Sequence, residues 1–191
     1  RAWCSPIEDQ QDLGSCTAQA GAGLIEFYQN RAFGTYTDAS RLFLYKTTRN
    51  LLGWTGDTGA YLSSTMAAMT LFGAPPEKYW PYTTVKPSPV SPPPAPDFDM
   101  EPPAFCYAFA QNYQSIIYYR LDPIGITPAD LLQRIKTYLA GNMPSMFGFT
   151  VYSSYRQSGS NGHLPFPCPK ESTEGGHAVV AVGYDDAKKI K

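Results

Sequence analysis

Basic residues, histidines and long apolar runs are all scarce in this chain, and each scarcity excludes a class of function. Lysine and arginine together number 15 against 16 aspartates and glutamates, and no basic run occurs. The sequence therefore lacks the electrostatic footprint of a protein that binds nucleic acid or an anionic membrane. No apolar run approaches the ~18 residues of a membrane span, and the N-terminus carries no apolar signal core. The 191 residues fit one globular domain of one or two lobes.

Cysteine is equally sparse. The four cysteines are far apart in the sequence: Cys4, Cys16, Cys106 and Cys168. This spacing excludes a CxxC zinc site and a dense disulfide framework, and it leaves open one disulfide together with one reactive thiol. We expect no metal and no cofactor. With only two imidazoles in the chain, a cysteine–histidine mechanism has two candidate bases, His163 and His177.

Sequence periodicity predicts helices in the first half of the chain. Apolar residues at helical spacing follow Ser15, and a second helix fits SRLFLYKTTRNLL from Ser40. A third fits GAYLSSTMAAMTLFG and ends at Gly73. Eight prolines then lie between Pro87 and Pro103, and they predict an extended, exposed and mobile loop over about residues 85–103.

The second half of the sequence predicts strands around one helix. QSIIYYRL, PSMFGFTV and HAVVAVGY have the composition of strands, and a helix begins after Thr127 with Pro128 at its first position. We expect an α+β fold. A helical lobe covers about residues 1–110, including the proline-rich loop 86–103, and a β-rich lobe covers about residues 111–191. The default site is the cleft between the lobes.

Cys16 has two interpretations. It is either a small buried hydrophobe or a nucleophile at a helix start, where unpaired N–H groups and the helix dipole stabilise a thiolate. Gln10 offers an amide donor nearby, and the two glycines before His177 leave room for another chain beside that histidine. His163 lies in the polar loop SGSNGH and is expected to be a solvated loop residue.

These residues together resemble the papain-like cysteine peptidases. Gln10…Gly14-Ser15-Cys16 is similar to the segment that carries the family's oxyanion glutamine and nucleophile, and Gly176-His177-Ala178-Val179 is similar to its histidine strand. Asp57-Thr58-Gly59-Ala60-Tyr61 and Tyr79-Trp80-Pro81-Tyr82 resemble the borders of its substrate cleft. The resemblance implies a two-lobed fold with a helical left lobe, an antiparallel β-barrel-like right lobe and the active-site cleft between them.

The resemblance also implies a mechanism. The Cys16 thiolate, paired with the His177 imidazolium, attacks a peptide carbonyl, and Gln10 with the Cys16 N–H stabilises the oxyanion. It further implies a set of substrate-binding residues: Gly59, Ala60, Tyr61, Leu62, Gly148 and Ala178. Of these, Gly59 and Ala60 offer backbone groups to an extended peptide, and Leu62, Gly148 and Ala178 line an apolar pocket for the second residue before the scissile bond.

The sequence departs from the family at several positions, and the departures at Leu13 and Thr17 resemble its bacterial branch. Leu13 stands where many members have a cysteine, so a disulfide near the nucleophile is missing, and Thr17 replaces an aromatic residue. The family's imidazole-orienting Asn, in an Asn-Ser-Trp segment, has no counterpart before Lys191. DDAKK is predicted to be a turn and Ile190 to begin a returning strand, so we expect further residues in the native protein to supply that Asn.

Two other functions use the same groups. A papain-like domain without a complete triad is a peptide-binding module, and a thiol-dependent acyltransferase or peptide ligase excludes water from the same chemistry. The expected partners are an extended peptide or protein substrate and an inhibitory pro-segment, with no nucleic acid and no membrane. The expected location is secreted, periplasmic or extracellular.

Overall fold

The computed structural model describes residues 2–90, 95–158 and 162–188. Five α-helices and two β-strands occur among them in the order α1, α2, α3, α4, α5, β1, β2. Their bounds are α1 Cys16–Phe33, α2 Arg41–Leu52, α3 Leu62–Leu71, α4 Ala104–Ala110, α5 Pro128–Ala140, β1 Ser145–Tyr152 and β2 Thr173–Ala181. No helix in the described ranges is long and apolar enough to cross a membrane.

The three predicted N-terminal helices are confirmed, and their ends follow from local chemistry. Ser40 caps α2, since its side chain accepts a hydrogen bond from the Phe43 N–H at 3.1 Å. Gly34 and Gly53 end α1 and α2 in the left-handed conformation, with φ of 71° and 67°. The helices α1, α2 and α3 pack around one core. Its fully buried members include Ala18, Ala22, Leu42, Leu44 and Tyr45.

The second lobe is built on α5 and a short antiparallel ladder. The Thr127 side chain accepts from the Asp130 N–H at 3.2 Å, so the predicted cap with proline at the first helical position is confirmed. Strands β1 and β2 pair antiparallel, with Gly148 opposite Ala178 and Phe149 opposite His177. The α+β class is confirmed. In the described part of the chain the sheet has two strands, which do not close a barrel by themselves.

One predicted strand does not form, and another has different bounds from those predicted. QSIIYYRL forms no strand, and Ile116 and Ile117 are 95% and 77% exposed. An alternating pattern becomes a strand only where a neighbouring strand pairs with it, and no such neighbour occurs among the described residues. HAVVAVGY does lie in a strand, but β2 begins earlier, at Thr173, and ends at Ala181. Ile190 lies outside the described residues.

The proline-rich segment is exposed over much of its described length but buried at Asp97, Phe98 and Pro102. Residues 85–87, 89 and 90 are exposed, and Ser91 to Pro94 lie outside the described residues. Asp97 and Phe98 are buried, with 8% and 4% exposure, which corrects the prediction of a wholly exposed loop. The reason is an ion-pair network that draws this end of the segment onto α2. The helix α4, which follows at once, was not predicted.

Contacts between the lobes orient the ladder against α1. Near the end of α1, the Tyr28 hydroxyl donates to the Pro144 carbonyl at 3.0 Å, and Arg31 donates to the Asn142 carbonyl at 2.7 Å. These bonds hold the turn that leads into β1. Both strands pack against α1, and β1 also approaches α3. The strand that carries His177 is therefore positioned by the helix that begins at Cys16.

Candidate active site

Cys16 is the first residue of α1, as the sequence predicts, and its side chain is half-buried. The preceding Ser15 does not cap the helix with its side chain, because its hydroxyl shares a 2.6 Å hydrogen bond with the Tyr82 hydroxyl instead. The N–H groups of the first turn therefore have no side-chain cap. A helix start of this kind stabilises an anion, which suits a thiolate or an oxyanion.

Gln10 lies in the turn before Cys16 with one of its amide hydrogens engaged. Its Nε2 donates to the Leu13 carbonyl at 3.0 Å. A primary amide has two hydrogens to donate, so one remains for a ligand. The Tyr82 hydroxyl donates to the Gln10 carbonyl at 2.8 Å. Tyr82 thus bridges the backbone of Gln10 and the side chain of Ser15, and it fixes the two ends of this turn relative to each other.

Asp57 joins the turn of residues 10–16, called the nucleophile turn here, to the loop of residues 56–61. This loop contains predicted substrate-binding residues and is called the substrate loop. The Gly14 N–H donates to Asp57 Oδ1 at 2.9 Å. A Cβ at Gly14 would lie 2.9 Å from that oxygen and 3.3 Å from the Gly59 nitrogen, so only glycine fits this close approach. The Asp57 carboxylate therefore links these two loops by a hydrogen bond. The sequence motif contains Asp57 but gives no signal of this role.

Tyr45 holds the other side of the same loop. Its hydroxyl donates to Asp57 Oδ1 at 2.6 Å and accepts from the Gly59 N–H at 3.1 Å. Burial raises the pKa of Tyr45 well above its usual range, and the Asp57 carboxylate adds to the effect. The Gly59 N–H is thus occupied within the protein. No hydrogen bond of the Ala60 backbone is found in the described ranges, so that peptide is open to an extended ligand.

The predicted pocket residues Leu62, Gly148 and Ala178 come together. A Cβ on Gly148 would lie 3.3 Å from Leu62 Cδ1, and Gly148 pairs with Ala178 across the ladder. Tyr61 is 59% exposed, and its ring lies 5.3 Å from that of Trp54. An open surface depression of about 360 Å³, lined by Gly53, Trp54, Thr55 and Thr58, adjoins this loop.

His177 lies on β2 between two aromatic rings. The Phe149 and Tyr155 rings meet the imidazole edge to face, with centroid distances of 5.7 and 6.2 Å. Burial lowers the pKa of His177, so the imidazole alone favours its neutral form. Among residues 2–90, 95–158 and 162–188, no hydrogen bond joins His177 to Cys16. An imidazolium at this position needs a nearby anion.

The remaining cysteines and His163 lie outside this arrangement. All four cysteines are free; Cys106 is buried, and burial raises the pKa of its thiol, whereas Cys168 is exposed. None of the four cysteines, all within the described residues, forms a disulfide in the structure. His163 is exposed in the loop before β2, where a loop residue was expected. Residues 159–161 of that loop lie outside the described residues.

One group of carboxylates within the described ranges has metal-ligand spacing, formed by Glu8, Glu26 and Asp38. Glu26 is 1% exposed and accepts from the Ala39 N–H at 3.0 Å. Arg41 lies 3.1 Å from Glu8, and burial raises the pKa of Glu8 to about 7. Arg41 thus pairs with Glu8, and a backbone N–H donates to Glu26, so two of the three acids have partners within the chain.

Comparison with known proteins agrees with this architecture. A family model described as papain family cysteine protease matches residues 1–191. Xylellain, a cysteine protease from Xylella fastidiosa, superposes with a TM-score of 0.78 at 35% identity, over 96% of this chain and 69% of that one. Digestive procathepsin L 3 of Tenebrio molitor larval midgut gives a TM-score of 0.65 at 19% identity, over 96% of this chain and 53% of that one, which shows the shared fold.

One curated protein also matches nearly the whole of this chain. An uncharacterised peptidase C1-like protein of Acanthamoeba polyphaga mimivirus is 32% identical over 186 residues, which make up 95% of this chain and 56% of that protein. The chain thus spans little more than half the length of that relative. Together the likenesses establish the predicted papain-like fold.

Proposed function

Because this chain belongs to the papain family of cysteine proteases, we propose that it is a cysteine endopeptidase with Cys16 as nucleophile and His177 as general acid and base. The observation that carries the proposal is the position of Cys16 at an uncapped helix start, tied through Gly14 to the substrate loop. The helix packs against the strand of His177. A thiolate at that helix start supplies the anion that the partly buried imidazole needs in order to stay protonated.

The chemical steps follow from these positions. The Cys16 sulfur attacks a peptide carbonyl, and the His177 imidazolium gives its proton to the leaving amine. The neutral imidazole then takes a proton from water, which hydrolyses the thioester. The free amide hydrogen of Gln10 and the Cys16 N–H stabilise the oxyanion in both steps. The Ala60 peptide binds the extended substrate as an edge strand does.

The test is incubation of the protein with an unfolded protein substrate, followed by mass spectrometry of the products with and without an added amine. Internal cleavage to free carboxyl ends supports the endopeptidase. Exclusive transfer to the added amine identifies an acyltransferase or ligase instead. Binding of the peptide without any product identifies a peptide-binding module. The last two results each contradict the proposal.

Gln10→Ala tests the oxyanion assignment. We expect kcat to fall by roughly 10²–10³ because one preorganised donor is lost, while the fold is kept. The matched control is Gln11→Ala, since Gln11 is the neighbouring glutamine and its side chain carries no assigned role. Steady-state kinetics with thermal unfolding of both variants provide the measurement. Equal rates for the two variants would show that the donor lies elsewhere.

Gly148→Val tests the pocket. A side chain at Gly148 enters the space beside Leu62, which a single Cβ already approaches to 3.3 Å. We expect kcat/KM to fall by roughly 10–200-fold for peptides with leucine or phenylalanine as the second residue before the scissile bond. For peptides with alanine at that position, kcat/KM should fall much less. A uniform loss across all peptides would contradict the pocket assignment.

The proposed partners are peptides. Xylellain is a cysteine protease by its description, and the extended-substrate proposal rests on the open Ala60 peptide together with family membership. The inhibitory pro-segment and the extracellular or periplasmic location stay predictions from the sequence.

A further inference from the structure

The buried end of the proline-rich segment is bonded to the rest of the lobe through its backbone and its aspartates. The Phe98 N–H donates to the Val85 carbonyl at 2.9 Å, which closes the segment into a loop. The Asp99 N–H donates to Asp97 Oδ1 at 2.8 Å, which turns the Asp99 side chain toward α2. The segment therefore returns to the core at a defined point.

The Asp99 carboxylate has three partners there. Its Oδ1 accepts from Lys46 Nζ at 3.0 Å and from Arg49 Nη1 at 2.8 Å. Its Oδ2 accepts from the Gly56 N–H at 2.7 Å. Burial acts to raise the pKa of Asp99, but these three donors outweigh it and hold that pKa below its usual value. The carboxylate is thus an ionised junction between the segment and the substrate loop.

Arg49 holds the same loop from the other side. Its side chain is fully buried and donates to the Gly56 carbonyl and, at 3.1 Å, to the Phe98 carbonyl. Its guanidinium also stacks on the Tyr45 ring, 4.0 Å from the centroid. Both peptide groups of Gly56, which has a φ of 77°, are therefore held by one ion pair.

Gly56 directly precedes Asp57, the residue that bonds to Gly14. Tyr45, whose ring lies against the Arg49 guanidinium, also bonds Asp57 and Gly59 through its hydroxyl. Two hydrogen bonds, Gly56 to Asp99 and Gly14 to Asp57, together with the covalent link from Gly56 to Asp57, thus connect Asp99 to the turn before Cys16.

We propose that Asp99 is a positioning residue of the peptide cleft. With Arg49 it fixes the Gly56 peptide, and through Asp57 it fixes the backbone that binds substrate beside the nucleophile. This inference rests on the proposed function and assigns the proline-rich segment a role in it: its buried end holds the substrate loop in its binding conformation.

The test compares Asp99→Asn with Asp122→Asn. Both changes remove one carboxylate, but Asp122 pairs with Arg120 on the exposed surface. The first readout is amide hydrogen exchange at Gly56 and Gly59. The second is KM and kcat for one peptide, with kcat normalised to thiols titrated by an epoxide. In Asp99→Asn we expect exchange at both glycines to be at least about tenfold faster and KM to rise about tenfold with kcat nearly unchanged. If Asp99 only stabilised the fold, Asp99→Asn would lower the folded fraction of the protein and leave KM unaltered.

Each outcome decides the proposal. Exchange at Gly56 and Gly59 equal to that of the control overturns it, and so does altered exchange with an unaltered KM. If the wild type hydrolyses no peptide, the proposed function fails, and the exchange rates alone decide whether Asp99 positions the loop. If Asp99→Asn does not fold, Lys46→Gln removes one of the three partners and carries the same test, with about a threefold expected change in exchange.

Discussion

Cys16→Ser is expected to lower peptide hydrolysis by at least about 10⁴-fold while the protein keeps its fold. The oxygen isostere fits the same half-buried position, so packing against the start of α1 is preserved. A serine hydroxyl is not ionised at that helix start, however, and the nucleophile is lost. The measurement is kcat/KM on a peptide substrate, with circular dichroism to confirm the helical content.

The matched control is Cys168→Ser, because Cys168 is also free but is exposed and far along the chain. It should retain wild-type activity. A Cys16→Ser variant within tenfold of the wild type would refute the assigned nucleophile.

His177→Ala is expected to lower the rate of peptide hydrolysis by a factor similar to that of Cys16→Ser. It is also expected to slow alkylation of Cys16 at mildly acidic pH. The reason is reciprocal stabilisation of charge. Burial lowers the pKa of His177, which lies against Phe149 and Tyr155, and a thiolate close by opposes this shift by stabilising the imidazolium. The thiolate in turn loses its counter-charge when the imidazole is removed. The measurements are hydrolysis rates and the rate of iodoacetamide modification between about pH 5 and pH 8.

The other histidine supplies the control. His163→Ala removes an imidazole from the exposed loop and should leave both rates unchanged. The assignment of the base would be reversed if His163→Ala were inactive and His177→Ala active. Fast alkylation in the His177 variant at pH 5 would show that the helix start alone stabilises the thiolate.

Local patterns in the sequence predicted α1, α2, α3 and α5 and the position of Cys16 at the start of α1. Ser40 and Thr127 begin helices because each side chain caps its own first turn, and such bonds span only three residues. Short motifs led to the proposal of Cys16, Gln10 and His177 as catalytic residues, which stays a prediction. What a motif cannot contain is a partner distant in sequence, and for this reason the pairing of Asp57 with Gly14, 43 positions away, was not predicted.

Two of the errors, the strand predicted at QSIIYYRL and the wholly exposed proline-rich loop, have the same origin. Ile116 and Ile117 alternate with polar residues as in a strand, but strands exist only as pairs and none of the described residues pairs with them. Proline density correctly predicted exposure at residues 85–87, 89, 90, 95 and 96. It gave no indication that Asp99 would return to Arg49, 50 positions earlier, where a fully buried guanidinium requires a carboxylate.

The central claim is that Cys16 is the one activated thiol of the chain, and thiol-directed alkylation at mildly acidic pH tests it most directly. The protein is treated with iodoacetamide at about pH 5.5, and modification of each cysteine is followed by peptide mass spectrometry alongside the remaining hydrolytic activity. The account predicts that Cys16 is modified far faster than the exposed Cys168 and that activity falls in proportion to Cys16 modification. Equal modification of Cys16 and Cys168, or full activity after Cys16 is modified, would contradict it.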